Sequence, residues 1–112
     1  MGNTTLASLV IAISGNTQVV DLVGAASFLN LADITNDITL AIFVDGAVGA
    51  DQVSLDRVTG NAATGNMTAL LQVQNLSAGN HTFTLVATAT GDTVNTRCPA
   101  GSAWMQALKI GA

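Results

Sequence analysis

His81-Thr82-Phe83-Thr84-Leu85-Val86-Ala87-Thr88-Ala89-Thr90 alternates along its length, with Phe83, Leu85, Ala87 and Ala89 on one side and Thr82, Thr84, Thr88 and Thr90 on the other. Successive side chains of a strand point to opposite faces, so this stretch reads as a strand with one face in a core. The same pattern recurs upstream. Met67 to Gln74 puts Met67, Ala69, Leu71 and Val73 on a buried face, and Ile38 to Val44 puts Ile38, Leu40, Ile42 and Val44 on one. Leu76-Ser77-Ala78-Gly79-Asn80 turns the chain between two of these strands. Asp45-Gly46 is a tight-turn pair, because both residues tolerate the positive φ that a two-residue hairpin loop requires.

The remaining segments extend the pattern. Leu6 to Ser14 reads as a first strand and Gln18 to Leu29 as its hairpin partner, with Gly24 as a bulge. Val19, Leu22, Val23, Ala26 and Leu29 would also suit a short helix. Ala47 to Val58 holds one or two short strands. Thr59 to Asn66 carries Thr-Gly-Asn twice and reads as a loop. Gly91-Asp92 turns the chain into Thr93 to Cys98, Pro99-Ala100-Gly101 breaks that strand, and Ala103 to Ile110 closes the chain. The expectation is an all-β domain over residues 1–112, a two-sheet antiparallel β-sandwich of the jelly-roll type with about eight strands. Residues 1–6 are expected to form an N-terminal arm.

Composition supports this reading. The chain has 112 residues, contains no Glu, and has Lys109 as its one lysine. The usual fillers of exposed helix positions are therefore missing, and Thr, Val, Ile, Asn and Gly take their place. Charged residues make up 9% of the chain, against about 25% in an average soluble domain. Hydrophobic residues make up 49%. So little charge leaves apolar surface for association to cover, which favours an oligomer over a monomer coated with Thr and Asn.

Several functions are disfavoured. Arg57, Arg97 and Lys109 are the basic residues, and three scattered cations make no phosphate-tracking stripe, so no nucleic-acid partner is expected. No apolar run approaches the length of a membrane helix, and no positive charge precedes the run Leu9 to Ile13, which argues against a secretory signal. Cys98 is the single cysteine and reads as a packed, inert thiol. One Cys and one His cannot fill a structural zinc site. The acidic residues Asp21, Asp33, Asp37, Asp45, Asp51, Asp56 and Asp92 include two loosely calcium-like groupings, Asp33/Asn36/Asp37 and Asp45/Asp51, but neither matches a calcium-loop pattern. Four Asn-x-Ser/Thr sequons, at Asn3, Asn66, Asn75 and Asn80, reflect composition.

His81 is the single histidine. A catalytic role needs a nucleophile and an orienting carboxylate beside it, and no nucleophile-elbow motif is present. The structural reading, a polar residue opening a strand after a turn, is preferred. With Trp104 the single Trp and Tyr absent, a sugar platform is lacking. No catalytic residue, metal or cofactor is expected. Trp104, with Gln106, Leu108 and Ile110, belongs to a face that is either core or an inter-subunit seam, core being the default; Met67 and Met105 read likewise. The candidate interface residues are Leu6, Leu9, Trp104, Leu108 and Ile110.

Three stretches carry a family likeness. They are Asn36 to Gly46, a strand running into Asp-Gly; Leu76-Ser77-Ala78-Gly79-Asn80-His81-Thr82-Phe83-Thr84-Leu85; and the closing strand Ser102 to Ile110. Together they resemble small β-sandwich proteins of bacteriophage particles, built like the C1q/tumour-necrosis-factor jelly rolls. The resemblance implies a structural protein of the virion: a homotrimer at the capsid surface, made in the bacterial cytoplasm, acting as a head decoration (cement) protein. Its implied partners are copies of itself and the major capsid protein or another virion protein. A tail or fibre knob that binds a host receptor is the alternative, and a small hydrolase or carbohydrate-binding module is a further one.

Overall fold

A computed structural model describes residues 3–15, 17–90 and 95–111. Eight strands follow in order: β1 (Thr4–Ile13), β2 (Thr17–Asn30), β3 (Thr35–Val44), β4 (Ala47–Thr59), β5 (Thr64–Gln74), β6 (Gly79–Thr90), β7 (Thr96–Arg97) and β8 (Ala103–Gly111). They form an all-β, two-sheet antiparallel sandwich. One sheet has the order β1-β6-β3-β4; in the other, β2 is flanked by β5 on one side and by β7 and β8 on the other. β7 and β8 lie end to end along β2, as one edge strand interrupted at Cys98–Ser102. Pro99 sits in that interruption, where its missing N–H costs no ladder bond. Ser27 N–H donates across the gap to the Ser102 carbonyl at 3.1 Å.

The alternating faces expected for β3, β5 and β6 are observed. Ile38, Leu40, Ile42, Phe83, Leu85 and Ala87 are fully buried, and Met67, Ala69 and Leu71 nearly so, while β2 adds Val20, Leu22, Ala26 and Phe28. β2 is a strand throughout, not a helix, because period-two burial runs unbroken from Val19 to Asn30. Asp45 and Gly46 both take positive φ, 52° and 87°, and close the β3–β4 hairpin as expected.

Several expectations need correction. β1 and β2 are not hairpin partners: β1 pairs with β6 in one sheet, and β2 pairs with β5, β7 and β8 in the other. Alternation tells which face a residue occupies and says nothing about which strand lies beside it. Thr4 to Leu6 belongs to β1, with Thr4 opposite Ala87, and is not an arm. Register shifts fall between Thr5 and Ala7 in β1, between Thr17 and Val19 in β2 and between Ala41 and Phe43 in β3, and not at Gly24, which stays in register with Ala69 and Met105. Ala47 to Thr59 is one strand. The segment expected as a loop from Thr59 to Asn66 shortens to residues 60–63, because Thr64-Gly65-Asn66 pairs with Leu29, Phe28 and Ser27. The expected Gly91-Asp92 turn, with Thr93 and Val94, lies outside the described residues.

Both misread glycines allow a close approach between the sheets. A Cβ on Gly24 would stand 2.6 Å from Cδ1 of Leu85, and one on Gly65 would stand 2.7 Å from Oδ2 of Asp56 and 2.8 Å from Cγ2 of Val58. The β2–β6 contact is therefore set by a Leu side chain filling the space above a glycine. Gly24→Ala should cost about 1–3 kcal/mol of stability through overpacking, since buried Leu85 has nowhere to swing; urea unfolding of the variant against wild type measures it.

One end of the sandwich is closed by a buried polar knot. Asn30 Nδ2 donates to the carbonyls of Ile34 at 3.1 Å and Val58 at 3.0 Å, and its Oδ1 accepts from Thr96 Oγ1 at 2.7 Å. Asn36 Nδ2 in turn donates to Thr96 Oγ1. The Asn30 backbone also pairs with the loop, accepting from Ala62 N–H and donating to the Ala63 carbonyl, both at 3.0 Å. Asn30, Asn36 and Thr96 are all buried. Asn30→Ala leaves these groups dry and unpaired and should destabilise by about 1–3 kcal/mol, read as a lowered unfolding midpoint with unchanged denaturant slope.

Candidate functional site

Two places hold chemistry that the fold alone does not explain. The first is the turn end of β3 and β6. The β3–β4 turn places Asp45 beside the start of β6, where Asp45 N–H donates to the Thr82 carbonyl at 2.8 Å and Thr82 N–H donates to Asp45 Oδ1 at 2.8 Å. The second carboxylate oxygen, Oδ2, lies 2.6 Å from Nδ1 of His81. On the far side of the imidazole, Nε2 is 2.7 Å from the Ser77 carbonyl oxygen and 3.3 Å from Ser77 Oγ. A carboxylate, an imidazole and a hydroxyl thus stand in line. Sequence reasoning kept His81 as a structural residue because its partners could not be seen; Asp45 is 36 positions away.

The line resembles a nucleophilic triad, but its protons are otherwise committed. Both ring nitrogens face oxygen acceptors, an arrangement that favours the doubly protonated, cationic imidazole. The hydrogen bond that His81 donates to Asp45 is the largest cause of the raised His81 pKa, and the one to the Ser77 carbonyl adds to it. The hydrogen bond to His81 likewise holds Asp45 below its ordinary value, helped by Thr82 N–H. A general base needs a free lone pair aimed at the hydroxyl. Here Nε2–H donates to the main chain of the β5–β6 loop, so the group works as a clamp joining two turns.

The clamp has a defined pH window. His81 binds its proton more tightly folded than unfolded, so its contribution is full below the usual imidazole value, about 6.5, and is lost as pH rises through the raised folded value. Asp45 contributes fully above the usual carboxylate value, about 3.9, and its part is lost as pH falls through the lowered folded value. The stability gap between wild type and His81→Ala should therefore be widest from about pH 4 to 6.5 and narrow on both sides, as thermal melts of the pair across pH would show.

The second place is the outer face of the sheet β5–β2–β8. Ala103, Met105 and Ala107 of β8 turn inward, while Trp104, Leu108 and Ile110 turn outward and are 47%, 61% and 45% exposed. The core reading of Trp104 is thus corrected; Met67 is buried and Met105 half-buried, as core residues are. Leu70 of β5 joins the outer set at 58% exposed. In register across the three strands stand Gln74, Val19 and Ile110; Gln72, Asp21 and Leu108; Leu70, Val23 and Gln106; and Thr68, Ala25 and Trp104. A shallow groove of about 650 Å³ runs over the middle rows. Asp21 brings a charge to this face, and its Oδ1 accepts from Gln72 Nε2 at 3.0 Å.

Of the five interface candidates, Trp104, Leu108 and Ile110 come together on this face. Leu6 and Leu9 do not. Both are half-buried in β1, Leu6 packed against the core beside the bulge and Leu9 paired with buried Phe83. Missed from sequence was Leu70, one of two consecutive leucines in β5, of which the alternation assigns Leu71 to the core and so leaves Leu70 outside.

Asp37, Asp45 and Cys98 are engaged in structure. Asp37 turns outward to Arg57, whose Nε lies 2.8 Å from Oδ1, while Asn36 turns inward, so the two do not converge on a cation. Asp45 is taken by His81; Asp92 and the side chain of Asp51 lie outside the described residues. Among the described residues no three potential metal ligands cluster. Cys98 is half-buried with Sγ 3.1 Å from Ser102 Oγ. Among the described residues no helix is long and apolar enough to cross a membrane. No protein-family model matches the chain, and no curated protein does.

Proposed function

We propose that this protein is a structural subunit of a bacteriophage particle, a decoration protein that cements the capsid by self-association and by laying the outer face of β5–β2–β8 on the shell. The observation that carries the reading is that face. Leu70, Trp104, Leu108 and Ile110 stand out to water from one sheet, where an isolated domain would place polar side chains. Contact with another protein removes that apolar surface from water, and association needs no chemistry beyond it. The likeness of Asn36 to Gly46, Leu76 to Leu85 and Ser102 to Ile110 to virion β-sandwiches supplies the setting.

The face sorts this reading from its rivals. A receptor-binding knob would act through loops at one end of the sandwich, such as residues 60–63. A hydrolase would act at Asp45, His81 and Ser77, and Ser77→Ala would then abolish ester turnover. Cementing acts through the flat of the sheet. Leu70→Lys places a charge on the β5 side of that flat, two strands from the β8 edge. It should lower co-sedimentation with undecorated phage shells at least tenfold, about 1.4 kcal/mol, while leaving the melting temperature within a few degrees of wild type. Shell binding unaffected by Leu70→Lys would remove the face from the mechanism.

A further inference from the structure

We propose that β8 is a pairing edge, and that a second copy of this chain adds its own β8 antiparallel to it, joining two β5–β2–β8 sheets into one continuous sheet. Among the described residues β8 pairs with β2 alone, so its other flank offers unpaired N–H and C=O groups. Natural edges are protected by bulges, prolines, charges or coverings, and here both edges of the other sheet are. β1 is broken by its bulge between Thr5 and Ala7. β4 carries Asp56 and Arg57, with a register shift opposite Ala41 and Phe43. β8 carries one charge, Lys109, on its inward row. Its ladder is regular from Ala103 to Ile110, it contains no proline, and Lys109 turns its ammonium across to donate to the Ala12 carbonyl of β1 at 3.2 Å.

The occupant follows from the register that a two-fold axis would impose. With the axis at Ala107, all nine residues of β8 find a partner. Trp104 stands opposite Ile110 of the second copy, Leu108 opposite Gln106, and the small Ala107 opposite itself, where a bulky residue would hold the strands apart. Cross-strand pairs of aromatic and β-branched residues, here Trp104 with Ile110, are the favourable kind. The two Lys109 ammoniums fall four residues apart along the strands, roughly 14 Å, beyond the screening length of about 8 Å at physiological salt. A nine-residue strand is roughly 30 Å long, and the side wall of a two-layer sandwich is roughly 15–20 Å high. The contact then buries on the order of 500 Å² per copy and 1,000 Å² in all, which reaches the lower bound of a specific interface. Because the contact is isologous, the first assembly is a dimer, in place of the trimer that the resemblance implies.

The test is independent of any shell. Light scattering of purified protein should give twice the chain mass of 11.3 kDa. Ala107→Cys treated with a mild oxidant should run as a disulfide-linked dimer in high yield, while wild type, whose Cys98 precedes β8 and falls outside the paired residues, should not. Should Ala107→Cys fail to fold, Gln106→Cys with a short bis-maleimide reads the same register from the outer face. Leu70→Lys should cross-link through Ala107→Cys as well as its parent does, so loss of shell binding and loss of pairing are separate results. A monomer or trimer mass, or folded cysteine variants that do not cross-link, would overturn the proposal.

Discussion

Everything in this molecule depends on how closely its two sheets approach across β2 and β6. Leu85 occupies the volume that a side chain at position 24 would need, and the largest core residues, Phe28, Phe83, Ile38, Leu40 and Ile42, pack around that contact. A domain with so few charges has little besides dry packing to specify its register, so the fit must come from shape. A glycine facing a leucine is such a shape. It brings the sheets close enough for the remaining inward side chains to interdigitate, and a strand slipped by one residue would turn the whole inward row of β2 to water.

Burial alone would leave the two open ends of the sandwich loose, and a polar cluster closes each. At the start of β3, Asn30, Asn36 and Thr96 tie β2, the 60–63 loop, β4 and β7 together through hydrogen bonds in the dry interior. At the opposite end of β3, Asp45 and His81 tie the β3–β4 turn to the β5–β6 loop. The first cluster is neutral and indifferent to pH. The second is ionic, and its strength depends on both partners keeping their charge.

Much of this was legible in the sequence, and what was not has a common cause. The inward rows of β3, β5 and β6 follow from alternation, and the β3–β4 turn from the tolerance of Asp45 and Gly46 for positive φ. Strand neighbours were hidden because a period of two carries no information about which strand lies alongside, so β1 and β2 looked like a hairpin although they belong to different sheets. Thr64-Gly65-Asn66 looked like a turn because glycine serves turns and close packing equally, and only the neighbouring Val58 and Asp56 distinguish the two. Trp104 was ambiguous because both rows of β8 are apolar: Ala103, Met105 and Ala107 on one side, Trp104, Leu108 and Ile110 on the other. The carboxylate of Asp45 reaches His81 only through the β3–β6 pairing, which no local pattern reveals.

The charges that the chain does possess are placed unevenly. Asp37 with Arg57 lies on the β3–β4 side and Asp45 with His81 at one end, whereas the flat of β5–β2–β8 carries Asp21, already held by Gln72. The ion pairs thus lie off the flat of β5–β2–β8, where Leu70, Trp104, Leu108 and Ile110 are exposed, while Val10 and Leu55 are the large apolar side chains exposed on the other sheet. Exposed apolar surface of this kind has a cost in solubility for an isolated domain and none for one whose flank is covered.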